Sequence, residues 1–185
     1  MKQEVASFLD YVAHSPTVFQ ATQQACDMLD AAGFTRLSEH EAWEILPGGR
    51  YYVTRNRSAL VAFAVPENGF THCQIVASHG DSPTFKLKAH AEGEAAGAYI
   101  RLDVEPYGGM IMSTWFDRPL SIAGRALVRE DGRLVTRLID LDRDAALIPN
   151  MPIHFNRDIN SGYSYNPQTD MLPLFGGKDA KGALA

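Results

Sequence analysis

Val5, Phe8, Leu9 and Val12 fall at i, i+3, i+4 and i+7, the spacing that gathers side chains on one face of a helix. The chain is therefore expected to open with an amphipathic helix. Ser15-Pro16 closes it and starts another, with Ser15 as N-cap and Pro16 at the first helical position. Val18, Ala21, Ala25, Met28, Leu29 and Ala32 form the apolar face of this second helix, and Gly33 is placed to end it. S-E-H-E at 38–41 reads as a capping box for a short helix that P-G-G at 47–49 terminates.

The periodicity then shortens to two. Y-Y-V-T and A-L-V-A-F-A-V flank R-N-R-S, which predicts a hairpin. C-Q-I-V-A-S follows, apolar on both faces, as expected of a strand central in its sheet. T-F-K-L-K alternates, as a strand near an edge does. A-E-G-E-A-A-G-A at 91–98 is small and acidic and reads as a linker or crossing point. Beyond it lie Y-I-R-L-D-V, S-I-A-G-R-A-L-V and R-L-V-T-R-L-I-D, with E-D-G-R as the turn between the last two. The final F-G-G-K-D-A-K-G-A-L-A is polar and small, with no element expected to close a core. Helices followed by strands predict an α/β layer first and a mostly β unit second.

Composition narrows the function classes. The chain has 185 residues, of which 45% are hydrophobic and 21% charged, values ordinary for a globular protein with a core of its own. Its net charge of −5, without a basic stripe, argues against nucleic-acid and anionic-membrane partners. Cys26 and Cys73 match no CxxC pattern and read as buried thiols of a reducing compartment. The N-terminus carries Glu4 and Asp10 and does not read as a secretory signal. No stretch reaches the roughly 20 apolar residues of a membrane span. A cytoplasmic location is the expectation.

The candidate chemistry centres on V-A-S-H-G-D-S-P, where an apolar run ends in His79-Gly80-Asp81. Neutral imidazole suits zinc, and a catalytic zinc takes about three protein ligands plus water. A carboxylate commonly holds the second nitrogen of a ligating histidine. Yet H-x-D is short, and on local pattern alone the polar-loop reading is favoured over a metal site. His14, His40, His72, His90 and His154 form no H-E-x-x-H pattern. D-L-D-R-D at 140–144 reads as a solvated turn. His154, in I-P-N-M-P-I-H-F-N-R-D-I-N, reads locally as a loop histidine bonded to its neighbours. W-F-D-R at 115–118 reads as packing. Y-G-G-M at 107–110 lacks the spacing and lysine of a phosphate loop.

Four segments taken together resemble one family. They are P-G-G-R-Y-Y-V-T-R-N-R-S-A-L-V-A-F-A-V, V-A-S-H-G-D-S-P, Y-G-G-M-I-M-S-T-W-F-D-R-P-L-S-I-A-G-R-A-L-V and I-P-N-M-P-I-H-F-N-R-D-I-N. In that order they are similar to the aspartyl aminopeptidases, which include vacuolar aminopeptidase I. The resemblance implies a two-zinc exopeptidase whose α/β catalytic domain carries an inserted β-rich dimerisation domain. Residues 1–88 would be the first part of the catalytic domain and residues 89–185 the inserted domain, incomplete. By the same resemblance His79 would ligate zinc and Asp81 would orient it. His154 would reach a neighbouring subunit's active site to hold substrate or its oxyanion. Gly80 stands where the family usually has Thr, and Met110 and Met112 where it often has Gly and an aromatic. The family's bridging Asp, its Glu-Glu pair and its other zinc ligands would follow the inserted domain. The expected partners are a peptide substrate, with an acidic N-terminal residue among the choices, and further copies of the chain through the second domain. This polypeptide alone is expected to lack peptidase activity. Two rival readings stand beside this one: an inactive interaction or dimerisation module, and a mononuclear metal domain pairing His79 with His72, His90 or Asp81.

Overall fold

The helical spacing of the first residues produces α1 (Gln3–Ala13) and α2 (Val18–Ala31) in the computed structural model, which describes residues 2–184. The cap of α2 is Thr17 rather than Ser15. Thr17 has extended backbone, and its hydroxyl accepts from the Phe19 amide at 3.2 Å. Pro16 thus precedes the cap instead of entering the helix, and Ser15 Oγ is buried without a hydrogen-bond partner. Gly33 ends α2 as expected. Its φ of +77° suits a residue without Cβ, and the Phe34 amide returns to the Leu29 carbonyl at 3.0 Å.

The helix expected after Ser38 does not form. The Ser38 carbonyl, which would start its ladder, receives the Trp43 indole N–H at 2.7 Å and the Glu41 amide at 3.3 Å. The Leu46 amide turns to the Tyr51 hydroxyl at 2.9 Å. These bonds close a turn in place of a helix. Strand β1 (Thr35–Arg36) pairs parallel with β2 (Arg50–Arg55), which pairs antiparallel with β3 (Ala59–Ala64). The predicted hairpin between the last two is present, and Asn56 and Arg57 in its turn both take positive φ.

The run Cys73–Ser78 is not a buried central strand. It has no strand pairing, and Ile75 and Val76 are 80% and 92% exposed. A strand exists only with a neighbour to take its backbone hydrogen bonds, and none of the described residues lies beside this run as one. Local hydrophobicity alone cannot supply that neighbour. Cys73 is correspondingly exposed, whereas Cys26 is buried as expected.

Strand β4 (Thr84–Ala95) continues through the stretch expected to be a linker, and turns at Ala96-Gly97 into β5 (Tyr99–Tyr107). Small residues at 91–98 concealed the pairing of Glu92 with Leu102 and Glu94 with Ile100. Next come β6 (Pro119–Leu120), β7 (Ala123–Glu130), β8 (Arg133–Asp140) and β9 (Ala146–Leu147). β7 and β8 form the predicted hairpin over Asp131-Gly132, both at positive φ as a two-residue turn of this kind requires. The last segment does close a core. Leu174–Gly177 is β10, the middle strand of the order β4-β5-β10-β9-β6. Gly176 fits there because a Cβ would lie 2.8 Å from that of Ala180.

The chain divides into two compact units. One runs to Ser82 and takes in the hairpin Ala123–Asp140; the other comprises Pro83–Ile122 and Leu141 onward. The second has its own core of Ile100, Leu102, Val104, Ile148 and Met171, all almost fully enclosed. In the first, Cys26, Tyr51 and Tyr52 are buried while Val5, Phe8, Leu9 and Val12 of α1 remain exposed. No helix among the described residues is long and apolar enough to cross a membrane.

Candidate metal-ligand site

His79-Gly80-Asp81 lies in the irregular segment between β3 and β4. The pair folds onto itself. His79 Nδ1 lies 2.5 Å from Asp81 Oδ1 and 3.2 Å from the Asp81 carbonyl oxygen. Both neighbours of Nδ1 are acceptors, so the neutral ring carries its proton there and leaves the Nε2 lone pair free. This is the tautomer a metal-binding imidazole needs. The histidine side chain is 85% exposed and the aspartate 22%, so the orienting group is sheltered while the donor faces outward. Two residues that the sequence pattern did not tie to the site flank this loop. A Cβ placed on Gly80 would stand 3.9 Å from the Ser58 carbonyl oxygen and 4.0 Å from Val18 Cγ2. Both belong to neighbouring elements distant in sequence, so no local signal pointed to them.

His154 lies in the other unit. The Phe155 amide donates to the Pro152 carbonyl at 2.9 Å, which sets His154 within a tight exposed turn. Met151, Ile153 and Phe155 around it are exposed too. The base of this segment is firm. Ile148 is fully buried, and the Asn150 amide donates to Asp117 Oδ1 at 2.9 Å. W-F-D-R thus serves packing and anchoring: Trp115 meets Phe85 edge-on at 5.1 Å and Phe116 packs against Tyr165 at 5.1 Å.

Among the described residues no group of three or more His, Cys, Asp or Glu side chains could hold a metal. The donor chemistry at His79 and Asp81 fits one zinc ligand with its orienting carboxylate. It does not fit a whole site, which takes about three protein ligands. His72 sits beside Thr71 on an exposed stretch, and His90 belongs to β4 in the other unit.

The family described as aminopeptidase I zinc metalloprotease (M18) matches residues 11–183. Aspartyl aminopeptidase 1 of Schizosaccharomyces pombe is 44% identical over 177 residues, covering 91% of this chain and 37% of its own length. A solved structure of an Ape4 and Nbr1 complex superposes with a TM-score of 0.88 at 40% identity, over 97% of this chain and 35% of that one. The mApe1 dodecamer of S. cerevisiae gives a TM-score of 0.76 at 27% identity, over 94% and 38%. The chain spans about two-fifths of the curated relatives it matches.

Proposed function

Because this chain belongs to the aminopeptidase I zinc metalloprotease (M18) family, we propose that it is the N-terminal part of a zinc-dependent aminopeptidase that removes acidic N-terminal residues from peptides. The observation that carries this reading is the His79–Asp81 pair, an imidazole held at Nδ1 with Nε2 open. The name of the fission-yeast relative supports the acidic preference. In this reading residues 1–88 begin the α/β catalytic domain and residues 89–185 belong to a β-rich inserted dimerisation domain. The separate core of the second unit supports a two-part chain, but with other bounds: that unit comprises Pro83–Ile122 and Leu141 onward, and the hairpin Ala123–Asp140 groups with the first.

His79 offers Nε2 to a metal, and Asp81 keeps the ring's proton on Nδ1 and the ring in place. Zinc held there, two ions per complete site, would supply Lewis-acid polarisation of the scissile carbonyl and a water of lowered pKa. His154, at its exposed turn, offers an imidazole N–H to the carbonyl oxygen of a peptide held by a neighbouring subunit. The dodecameric relative supports such an assembly. The remaining ligands and the general base lie outside these 185 residues.

An antibody against this segment tests the proposal on the native polypeptide in its own cell. The expected species exceeds twice the 20.4 kDa of this chain, releases acidic N-terminal residues from a chromogenic peptide, and stops when a chelator is added. A native species of 20.4 kDa without hydrolysis would overturn it. The second reading, an interaction module, would then lead, favoured by the self-contained core and exposed apolar turn of the second unit.

A further inference from the structure

Gly80, between the ligand and its orienting carboxylate, lies against a shelf with two walls. One wall is the first turn of α2, at Val18; the other is the β2–β3 turn, at Ser58. The second wall is a strained piece of backbone, since Asn56 and Arg57 both hold positive φ without being glycine. Such a turn keeps its shape only where its surroundings hold it.

Arg125, on β7, touches both walls. Its Nη1 donates to the Asn56 carbonyl at 2.8 Å and to Asn56 Oδ1 at 3.0 Å. Its guanidinium carbon stands 4.3 Å over the ring of Phe19, the residue after Val18, within reach of a cation–π attraction. The hairpin that carries Arg125 is itself fastened to α2. Gln20, only 9% exposed, donates from Nε2 to the Ile139 carbonyl at 2.9 Å and to that of Gly124 at 3.4 Å. The side chain that spans the shelf is thus delivered by a segment more than forty residues beyond the site.

We propose that Arg125 is a positioning residue for the metal-ligand loop, bracing the turn at Asn56 against Phe19 so that His79 and Asp81 keep their mutual geometry. This rests on the reading of His79 as a ligand oriented by Asp81. An arginine suits the task because one planar guanidinium can hydrogen-bond in its plane while stacking on a ring, which an ammonium cannot do.

The test reads the His79 ring in the 185-residue chain by long-range proton–nitrogen NMR, at about pH 9, where an ordinary imidazole is neutral. His79→Gln identifies its signals. In the unaltered chain the Nδ1–H tautomer should dominate. Arg125→Gln should lower the ratio of Nδ1–H to Nε2–H by about threefold or more, and Arg125→Lys should do the same to a lesser degree. Arg137→Gln serves as the control. It breaks the Arg137–Glu130 pair on the same hairpin without touching Phe19 or Asn56, and should leave the ratio alone. Adding Gly80→Ala to Arg125→Gln should restore part of it, because the new methyl would make ordinary contacts with both walls. Asp81→Asn separates the two claims. If it leaves the ratio unchanged, the reading of Asp81 as the carboxylate that orients the ligand falls. If Asp81→Asn collapses the ratio and Arg125→Gln does not, the positioning role alone is overturned. An equal loss in Arg137→Gln would also overturn it.

Discussion

Tyr52 provides a severe test of how the first unit is held together. Its side chain is fully enclosed, and its hydroxyl donates to Asp30 Oδ1 at 2.7 Å. Burial, and after it the hydrogen bond to Asp30, pushes the phenol from its ordinary 10 up to about 12. A pKa raised on folding means that the native state favours the protonated phenol. Its contribution is therefore whole below pH 10 and is lost as pH climbs through about 12. The rise of about two units corresponds to roughly 2.7 kcal/mol, with about half of that gone by about pH 11. Tyr52→Phe removes both the bond and the titration. Urea unfolding followed by Trp43 fluorescence, in a Trp115→Phe background, isolates the first unit, because Trp43 stacks there on Phe63 at 6.5 Å. Near about pH 8 the tyrosine form should be more stable by roughly 1.5–2 kcal/mol, the scale of a hydrogen bond to a charged group whose partner can be rehydrated. Because the titration removes more than this gap, the gap should close a little above about pH 11 and reverse by about pH 12, since phenylalanine cannot ionise. A gap that stays constant from about pH 10 to about pH 12 would refute the reasoning, as would a phenylalanine form that is the more stable throughout.

In the second unit, Gly176→Ala should cost about 1–3 kcal/mol by overpacking, because its Cβ would meet that of Ala180 at 2.8 Å. Gly177→Ala should cost less, since the atom it meets is Asp179 Oδ1, the end of a side chain that can swing away; thermal unfolding followed at Trp115 distinguishes the two. Val76→Asp should leave stability within about 0.5 kcal/mol, as exposed substitutions do, and should reduce self-association in sedimentation by breaking an uncovered apolar run. A large loss of stability there would mean that Val76 is covered.

Local signals were read well where local chemistry decides the outcome. The helices came from spacing, and the Asp131-Gly132 hairpin from residues that tolerate positive φ. The losses among the strands share one cause, whereas the capping box at 38–41 and the Ser15 cap were local signals that other hydrogen bonds overrode. Cys73–Ser78 has the composition of a buried strand, but pairing is a property of two segments. Leu174–Gly177 has almost no strand signal, yet it fills the gap between β5 and β9 because its glycines allow close approach. Residues 92–95 pair as β4 although alanine and glycine blur their alternation. At the candidate site, H-x-D alone favoured a loop over a ligand; only the family resemblance favoured the ligand, and the fold places Asp81 against Nδ1. His154 owed its functional reading to the resemblance alone. Arg125 and Gln20 were invisible beforehand, because each acts on backbone about seventy or more positions away.

We propose that this chain supplies one zinc ligand with its orienting carboxylate and not a finished metal site. Zinc titration of the 185-residue chain against a chromogenic chelator tests it directly. The account predicts no tight equimolar site, because one imidazole with a carboxylate behind it does not provide the ligand set that zinc requires. Tight binding of one zinc per chain, lost on His79→Ala, would contradict it and establish a self-contained mononuclear centre.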